Sequence, residues 1–227
     1  MTGLQLVVTE DGSHTLFNQD IQESYHSTHG ALHESTHVFI GNGLRYTLDL
    51  YQKTSLTVFE LGFGTGLNAV LTAIYAEQNQ VNIIYESVEK FPLSQELALS
   101  LNYPELIEDT NAHLIFSKLH KSPWNQSQQI SPYFGLKKIA CGIEEYQAQQ
   151  PCFDLCYFDA FAPSKQAEMW EIPILSKVYQ LLTEGGILVT YSAKGQLKRD
   201  LKSLGFTVET LPGPPGKKEM VRAKKTG

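Results

Sequence analysis

Apolar positions fall into two alternating rhythms from Leu56 onward. TVFEL, NIIYESVE (Asn82 to Glu89), FDLCYFDA (Phe153 to Ala160) and GILVTYS (Gly186 to Ser192) are nearly continuous apolar runs, as expected of parallel strands covered on both faces. Between them, LNAVLTAIYAEQ (Leu67 to Gln78) repeats its apolar residues at helical spacing. PLSQELALSL (Pro92 to Leu101) reads as a helix with proline in its first turn, and PSKQAEMWEIPILSKVYQLL (Pro163 to Leu182) as a helix stopped at Gly185-Gly186. This alternation predicts a doubly wound, mostly parallel α/β sheet. The last two runs, FTVETL (Phe206 to Leu211) and EMVRAKK (Glu219 to Lys225), are joined by PGPPGKK, too short for a parallel crossover, so they must form an antiparallel hairpin. Upstream, LQLVV (Leu4 to Val8) and HVFI (His37 to Ile40) are short strand-like runs among polar clusters. A small β-rich or mixed N-terminal extension over 1–54 is therefore expected before a main domain over 55–227.

With 227 residues, 42% of them apolar and 11% aromatic, the chain can bury a substantial core. It contains no uncharged apolar run of about 18 residues, and MTGLQLVVTEDGSHT lacks the regions of a signal peptide, so a cytoplasmic protein with no membrane partner is expected. Cys141, Cys152 and Cys156 lack paired metal or redox spacing and are expected as reduced core thiols. A net charge of -6 argues against a protein that binds nucleic acid over its whole surface. It leaves room for a local patch, such as Lys217, Lys218, Arg222, Lys224 and Lys225, although a frayed, solvated tail would read the same way.

The sharpest signal is TVFELGFGTGLNAV, where a strand climbs into glycines at 62, 64 and 66 and then turns helical. A dinucleotide loop needs its third glycine or alanine five residues after the first, and that position is Leu67. The pattern E-x-G-x-G-x-G instead marks the first motif of S-adenosylmethionine (SAM) enzymes. A parallel sheet finished by an antiparallel hairpin is, independently, the layout of class I SAM-dependent methyltransferases, a Rossmann-like fold. SAM is the expected cofactor, held by Glu60, Gly62, Phe63, Gly64, Thr65 and Gly66, with Glu89 at the end of the second strand accepting the ribose hydroxyls. The alternatives are a ligand-free turn and a solvated glutamate.

FDLCYFDAFAPSKQAEMW places Asp159 at the carboxyl edge of the fourth strand, beside the expected cofactor. A carboxylate there can orient an amine nucleophile and accept its proton. The competing reading is a helix N-cap.

ELGFGTGLN, DAFAPSKQAEMW, PGPPGKKEM and the N-terminal DGSHTL...ESYHSTHGALHESTHVFI together resemble the methyltransferase half of the MnmC family of tRNA 5-methylaminomethyl-2-thiouridine biosynthesis proteins. The likeness, from about Thr9 to Ala223, is strongest to stand-alone members without the FAD-dependent oxidoreductase half. It implies methyl transfer from SAM to the exocyclic primary amine of 5-aminomethyl-2-thiouridine at the tRNA wobble position, and a functional link to a separate oxidoreductase or aminomethyl-forming enzyme. It also implies that Glu60 and the three glycines form the cofactor motif, that Glu89 binds ribose and that Asp159 stands at the active-site mouth. Where the family places Gly-Asp against the adenine, this chain reads Cys141-Gly142-Ile143-Glu144-Glu145, so either Glu144 substitutes or backbone makes that contact. Phe161 and Trp170 are candidates to stack on the uridine, or else core aromatics. Lys217 and Lys218 are the candidate tRNA contacts.

His14, His26, His29, His33 and His37 cluster near the N-terminus, and the spacing at 29, 33 and 37 would line one helix face. No metal is expected, because no cysteine accompanies them; Tyr25 to Glu34 instead resembles the family's segment at the cofactor mouth. The rival functions are a small-molecule amine methyltransferase or aminopropyltransferase of the spermidine synthase type, and a non-enzymatic SAM-binding module.

Overall fold

The computed structural model describes residues 3–148 and 152–226. The chain opens with a three-stranded antiparallel sheet of β1 (Leu4–Val8), β2 (His14–Asn18) and β3 (Glu23–Ser24). It continues through α1 (Ala31–Ser35), a π-helical stretch (Thr36–Arg45) and α2 (Tyr46–Tyr51). The HVFI run expected as a strand thus lies inside a helix. Three consecutive apolar residues fit a buried helix as well as a strand, and the Gly41-Asn42-Gly43 that follows reads as a turn although the helix runs through it. Val38, Phe39 and Leu44 on this helix belong to the same buried cluster as Val58 and Val189 of the central sheet. Contact there is close: a Cβ on Gly43 would lie 2.9 Å from Val189 Cγ2 and 3.2 Å from Tyr157 Cε1.

The central sheet is built from β4 (Ser55–Leu61), β5 (Asn82–Val88), β6 (Ser127–Ser131), β7 (Phe134–Ile139), β8 (Phe153–Phe158), β9 (Leu182–Thr190), β10 (Phe206–Pro212) and β11 (Glu219–Lys225). Its spatial order is β10-β11-β9-β8-β4-β5-β7-β6. β7, β5, β4, β8 and β9 run parallel, whereas β11 pairs antiparallel with both β10 and β9, as the short PGPPGKK link requires. β6 adds an antiparallel edge strand. This is the class I SAM-dependent methyltransferase fold with a small antiparallel N-terminal sheet.

Helices cover both faces. α3 (Leu67–Asn79), α4 (Gln95–Leu99), α5 (Tyr103–Leu106) and α6 (Ala112–Lys121) follow the first half of the sheet, and α7 (Ile172–Leu181) and α8 (Gly195–Ser203) the second. α4 is shorter than the apolar pattern suggests, because Ser94 caps it by accepting from Leu97 N–H at 3.2 Å, leaving Pro92 outside. The helix expected from Pro163 divides into a 3₁₀ turn (Ala167–Trp170) and α7, with Pro173 in the first turn of α7. α7 stops at Leu181 and β9 begins at once, running through Gly185 rather than starting after it.

Cys156 is a core thiol, but Cys141 is half-buried and Cys152 is exposed. The basic C-terminal run is neither frayed nor free. Lys225 is buried and donates to Leu182 O at 2.9 Å, and Arg222 stacks 3.3 Å above the Tyr46 ring while pairing with Glu209 at 2.6 Å. No described helix is long and apolar enough to cross a membrane.

Because Gly43 lets the N-terminal helix rest on β8 and β9, Gly43→Leu should destabilise the fold by about 1–3 kcal/mol through overpacking. Urea unfolding should show a lower midpoint at unchanged slope.

Candidate active site

Three parallel strands, β4, β5 and β8, end side by side, and the glycine turn sits on their carboxyl ends. Gly62 and Phe63 N–H both donate to Val88 O, at 3.0 and 3.2 Å, and Asp159 N–H donates to Leu61 O at 3.1 Å. Gly62 has φ +94°, and a Cβ there would lie 2.6 Å from Asp159 O. Gly66, at φ +75°, opens α3 with its bare Cα against His120 and Phe63, where a Cβ would find both at 3.0 Å. Side chains are excluded at both positions, the first by the acid-bearing strand and the second by the packing behind the loop.

In front of the turn lies a cavity of about 590 Å³, a size suited to a nucleoside cofactor with part of an acceptor. At one end, Gly62 to Thr65 form its wall and Glu89 its flank. Glu89 is fixed twice: Oε2 accepts from Gly64 N–H at 3.0 Å and Oε1 from Phe91 N–H at 2.8 Å. Burial raises its carboxyl pKa against these bonds, and each oxygen keeps a lone pair for a hydroxyl donor. Backbone from Cys141 to Ile143 lines the next wall. Glu144 stands at the exposed rim, ion-paired with Lys90, which holds its carboxyl below the ordinary range. Both alternatives for an adenine contact, Glu144 and the 141–143 segment, line the cavity.

Asp159 lines the cavity beside the glycine turn, its backbone oxygen against Gly62. Its Oδ2 accepts from Asn68 Nδ2 at 2.8 Å. Burial pushes its carboxyl up to about 7, helped by the charge of Glu34 and opposed by the Asn68 bond and by Lys217. Its surface contact with solvent is partial, and it lines the cavity. The helix-cap reading fails, since the following 3₁₀ turn is capped by Gln166 and α7 by Glu171. Phe161 and Tyr25, edge to face at 5.0 Å, line the same cavity with Tyr191, Glu34 and Lys217, and the Tyr25 ring reaches over Gly64, where a Cβ would meet its Cδ1 at 3.1 Å.

Four expected site residues fall elsewhere. Glu60 is fully buried under the turn and accepts from Ser87 Oγ at 2.7 Å instead of facing the cavity. Side chains on a strand alternate faces, and the motif spacing does not tell which face Glu60 takes. Burial, with the neighbouring Asp159 charge, pushes it up to about 8, so it is protonated at neutral pH. Its O–H can then serve the unpartnered oxygens left beside it. Gly66 supports the turn from behind. Trp170 is buried, tilted against Phe158 at 4.9 Å, and donates from Nε1 to Phe161 O at 2.7 Å, so it braces Phe161 and cannot itself stack on a base. Lys218 is exposed outside the cavity, while Lys217 turns inward instead of joining a surface patch.

The segment from Tyr25 to Glu34 does reach the mouth. His26 is buried between Thr15 Oγ1 at 3.2 Å and Thr65 Oγ1 at 3.4 Å, and burial lowers it to about 4, keeping it neutral. His29 precedes the helix and pairs with Glu10 at 2.9 Å, while His37 Nε2 lies 2.9 Å from Pro212 O. The three therefore do not share a helix face. Among the described residues, no group of three or more His, Cys, Asp or Glu is placed to hold a metal ion. Asn68, Phe91 and Tyr191 were not anticipated. Asn68 directly follows the glycine motif at the start of α3 and was open to notice, whereas Tyr191 is recognisable only once β9 is set beside β8.

Comparison with known proteins agrees with this geometry. Residues 114–226 match a family described as S-adenosyl-L-methionine-dependent methyltransferase. A tRNA 5-methylaminomethyl-2-thiouridine biosynthesis bifunctional protein MnmC from Campylobacter hominis is 29% identical over 213 residues, covering 92% of this chain and 31% of the relative. Its counterpart from Idiomarina loihiensis is 32% identical over 209 residues, covering 87% and 34%. The chain thus spans about a third of the length of the curated relatives it matches. The crystal structure of MNMC2 from Aquifex aeolicus superposes with a TM-score of 0.82 at 25% identity, covering 100% of this chain and 72% of that one. Spermidine synthase from Thermotoga maritima shares the fold at a TM-score of 0.56 and 13% identity.

The fold and the glycine turn are those of class I SAM-dependent methyltransferases, and residues 114–226 match that family. Within that class, the chain is MnmC-like over nearly its whole length.

Two outcomes separate the facing residues from the supporting ones. Gly62→Ala should lower SAM affinity at least about tenfold in calorimetry, because its Cβ must push apart the turn and Asp159. Glu60→Gln should leave SAM affinity unchanged and alter the pH dependence of stability. The folded protein holds the Glu60 proton up to about pH 8, whereas the unfolded chain releases it near 4.5, so the group's contribution is full below 4.5 and is lost as pH rises towards 8. The variant's stability relative to wild type should therefore increase across that window in denaturant titrations at several pH values.

Proposed function

We propose that the protein transfers a methyl group from SAM to the exocyclic primary amine of 5-aminomethyl-2-thiouridine at the wobble position of tRNA, in the cytoplasm, with no membrane partner. The supporting observation is a cavity that brings the Gly62–Thr65 wall and Glu89 together with Asp159 and the aromatic and acidic side chains of Tyr25, Phe161, Tyr191 and Glu34. The MnmC relatives support the choice of acceptor. A separate oxidoreductase or aminomethyl-forming enzyme would then supply the acceptor base.

The residues fit SAM on the structure's own terms. The Gly62–Thr65 turn lines the cavity, and Glu89 is held for paired hydroxyls by two backbone donors. Backbone at 141–143, with the exposed ring of Phe91 opposite, offers a slot for a flat base. When bound, SAM supplies a methyl group already activated by a positively charged sulfur.

The protein's remaining tasks are to bind the amine, remove its proton and aim it. An aminomethyl group is largely ammonium at neutral pH and has no lone pair to attack with. Asp159, partly protonated near pH 7 and oriented by Asn68, can pair with the ammonium and take its proton. Phe161 and Tyr25 present an aromatic corner for an unstacked uracil, and the Trp170 N–H holds the Phe161 backbone in place. Alignment is the larger contribution, since the donor is activated before it arrives.

Transfer RNA carrying the 5-aminomethyl base, incubated with protein and SAM, should gain one methyl on that nucleoside alone by mass spectrometry. Methylation of a polyamine in its place would overturn the acceptor assignment. Asp159→Asn should keep SAM affinity and lower methyl transfer by about 10²-fold. In the wild type the rate should fall as pH drops through about 7, where Asp159 takes up its proton, and that inflection should disappear in the variant.

A further inference from the structure

The acceptor end of the cavity already contains a primary ammonium. Lys217, near the tip of the β10–β11 hairpin, enters from the mouth and ion-pairs with Glu34 Oε2. Its Nζ also lies 3.7 Å from the centroid of the Tyr191 ring. Both partners are fixed independently of the lysine: Glu34 Oε1 accepts from Ser27 N–H at 3.1 Å, and the Tyr191 hydroxyl donates to Ala160 O at 2.8 Å. That anchor is the residue next to Asp159, so the box opens beside the catalytic carboxylate.

A fixed carboxylate set against an aromatic face is the environment that holds a desolvated ammonium best. The Glu34 carboxyl group is only 6% exposed, and a carboxylate so buried is costly to leave without a cation. Lys217 supplies one, yet its side chain is 29% exposed and its four-carbon stem can withdraw towards solvent without moving the hairpin. Glu34 has no such freedom, being held within α1.

We propose that Glu34 and the face of Tyr191 are the seat for the acceptor's aminomethyl ammonium, and that Lys217 fills this seat until the acceptor displaces it. The inference rests on the amine-acceptor reading above, and makes Glu34 an acceptor-binding and specificity-determining residue. An exchange of one primary ammonium for another keeps Glu34 paired throughout, and it delivers the incoming nitrogen next to Asp159. An acceptor with a hydroxyl in place of the amine could not replace the lysine's charge.

Ethylammonium tests the seat without tRNA. In calorimetry, Lys217→Ala should bind ethylammonium saturably and at least about tenfold more tightly than wild type, and adding Glu34→Gln to that variant should abolish the gain. With tRNA acceptor, the double variant should raise acceptor KM about tenfold or more while leaving SAM affinity unchanged. Equal ethylammonium binding by wild type and Lys217→Ala would overturn the proposal. So would a gain that survives loss of Glu34, or a Lys217→Ala protein that is merely less stable and takes up no ammonium. Failure of the wild type to methylate tRNA sinks the acceptor reading separately, because the ammonium titration does not depend on it.

Discussion

The contact of Gly62 with the backbone of Asp159 is the constraint around which the site is arranged. With a Cβ excluded at 2.6 Å from Asp159 O, the turn after β4 can lie directly on the end of β8, and the Leu61 carbonyl and Asp159 N–H close the gap with a hydrogen bond. Val88 at the end of β5 binds the other side of the turn. The glycine turn, Glu89 and Asp159 are thus set by the register of three neighbouring parallel strands. Rigid strands, rather than loops, determine how far Asp159 lies from whatever rests on the glycines.

Burial then gives three nearby carboxyl groups different tasks. Glu60, Glu89 and Asp159 are all pushed towards the neutral form by desolvation. Glu60 has one hydroxyl donor and no access to the cavity, so it remains a protonated structural acid. Glu89 receives two backbone N–H groups, which favour its charged form and point it at the cofactor end. Asp159 has one amide donor, which only partly offsets its desolvation and leaves it near the point where a carboxyl can both hold and release a proton.

The strands that bear the glycine turn and Asp159 were legible because parallel strands buried on both faces write themselves as continuous apolar runs, and the hairpin followed from the length of its link. The stretch between α4 and β8, holding α5, α6, β6 and β7, was not read, since its apolar residues are interrupted by polar ones suited to a sheet edge. HVFI misled for a related reason, being too short to declare its period. In the site, residues joined through the glycine motif or a strand end could be found from the chain alone. Glu60 was misplaced because a motif fixes position but not facing, and Trp170 because an aromatic 11 residues after Asp159 looks the same whether it fronts the cavity or backs it. Lys217 looked like a surface charge, and its inward turn depends on Glu34, remote in sequence.

On the proposed reading, that last pairing is where the acceptor is selected. The sheet edge supplies the cofactor wall and Asp159, but the chamber beyond them is roofed by the N-terminal segment and the β10–β11 hairpin, which meet through polar contacts. Glu34 pairs with Lys217, His37 lies against Pro212 O, and Gly216, at φ +80°, leaves the space that the His29 ring occupies. Such contacts are exchanged with solvent at far less cost than the packed cluster beneath them, so the roof is the part of the cavity that can yield to a bulky acceptor while the strands stay in register. On the proposed reading the N-terminal segment is therefore part of the site: without its Tyr25 and Glu34, which line the cavity, the fold would keep the glycine turn and Asp159 but no carboxylate set against an aromatic face to tell an ammonium from any other group.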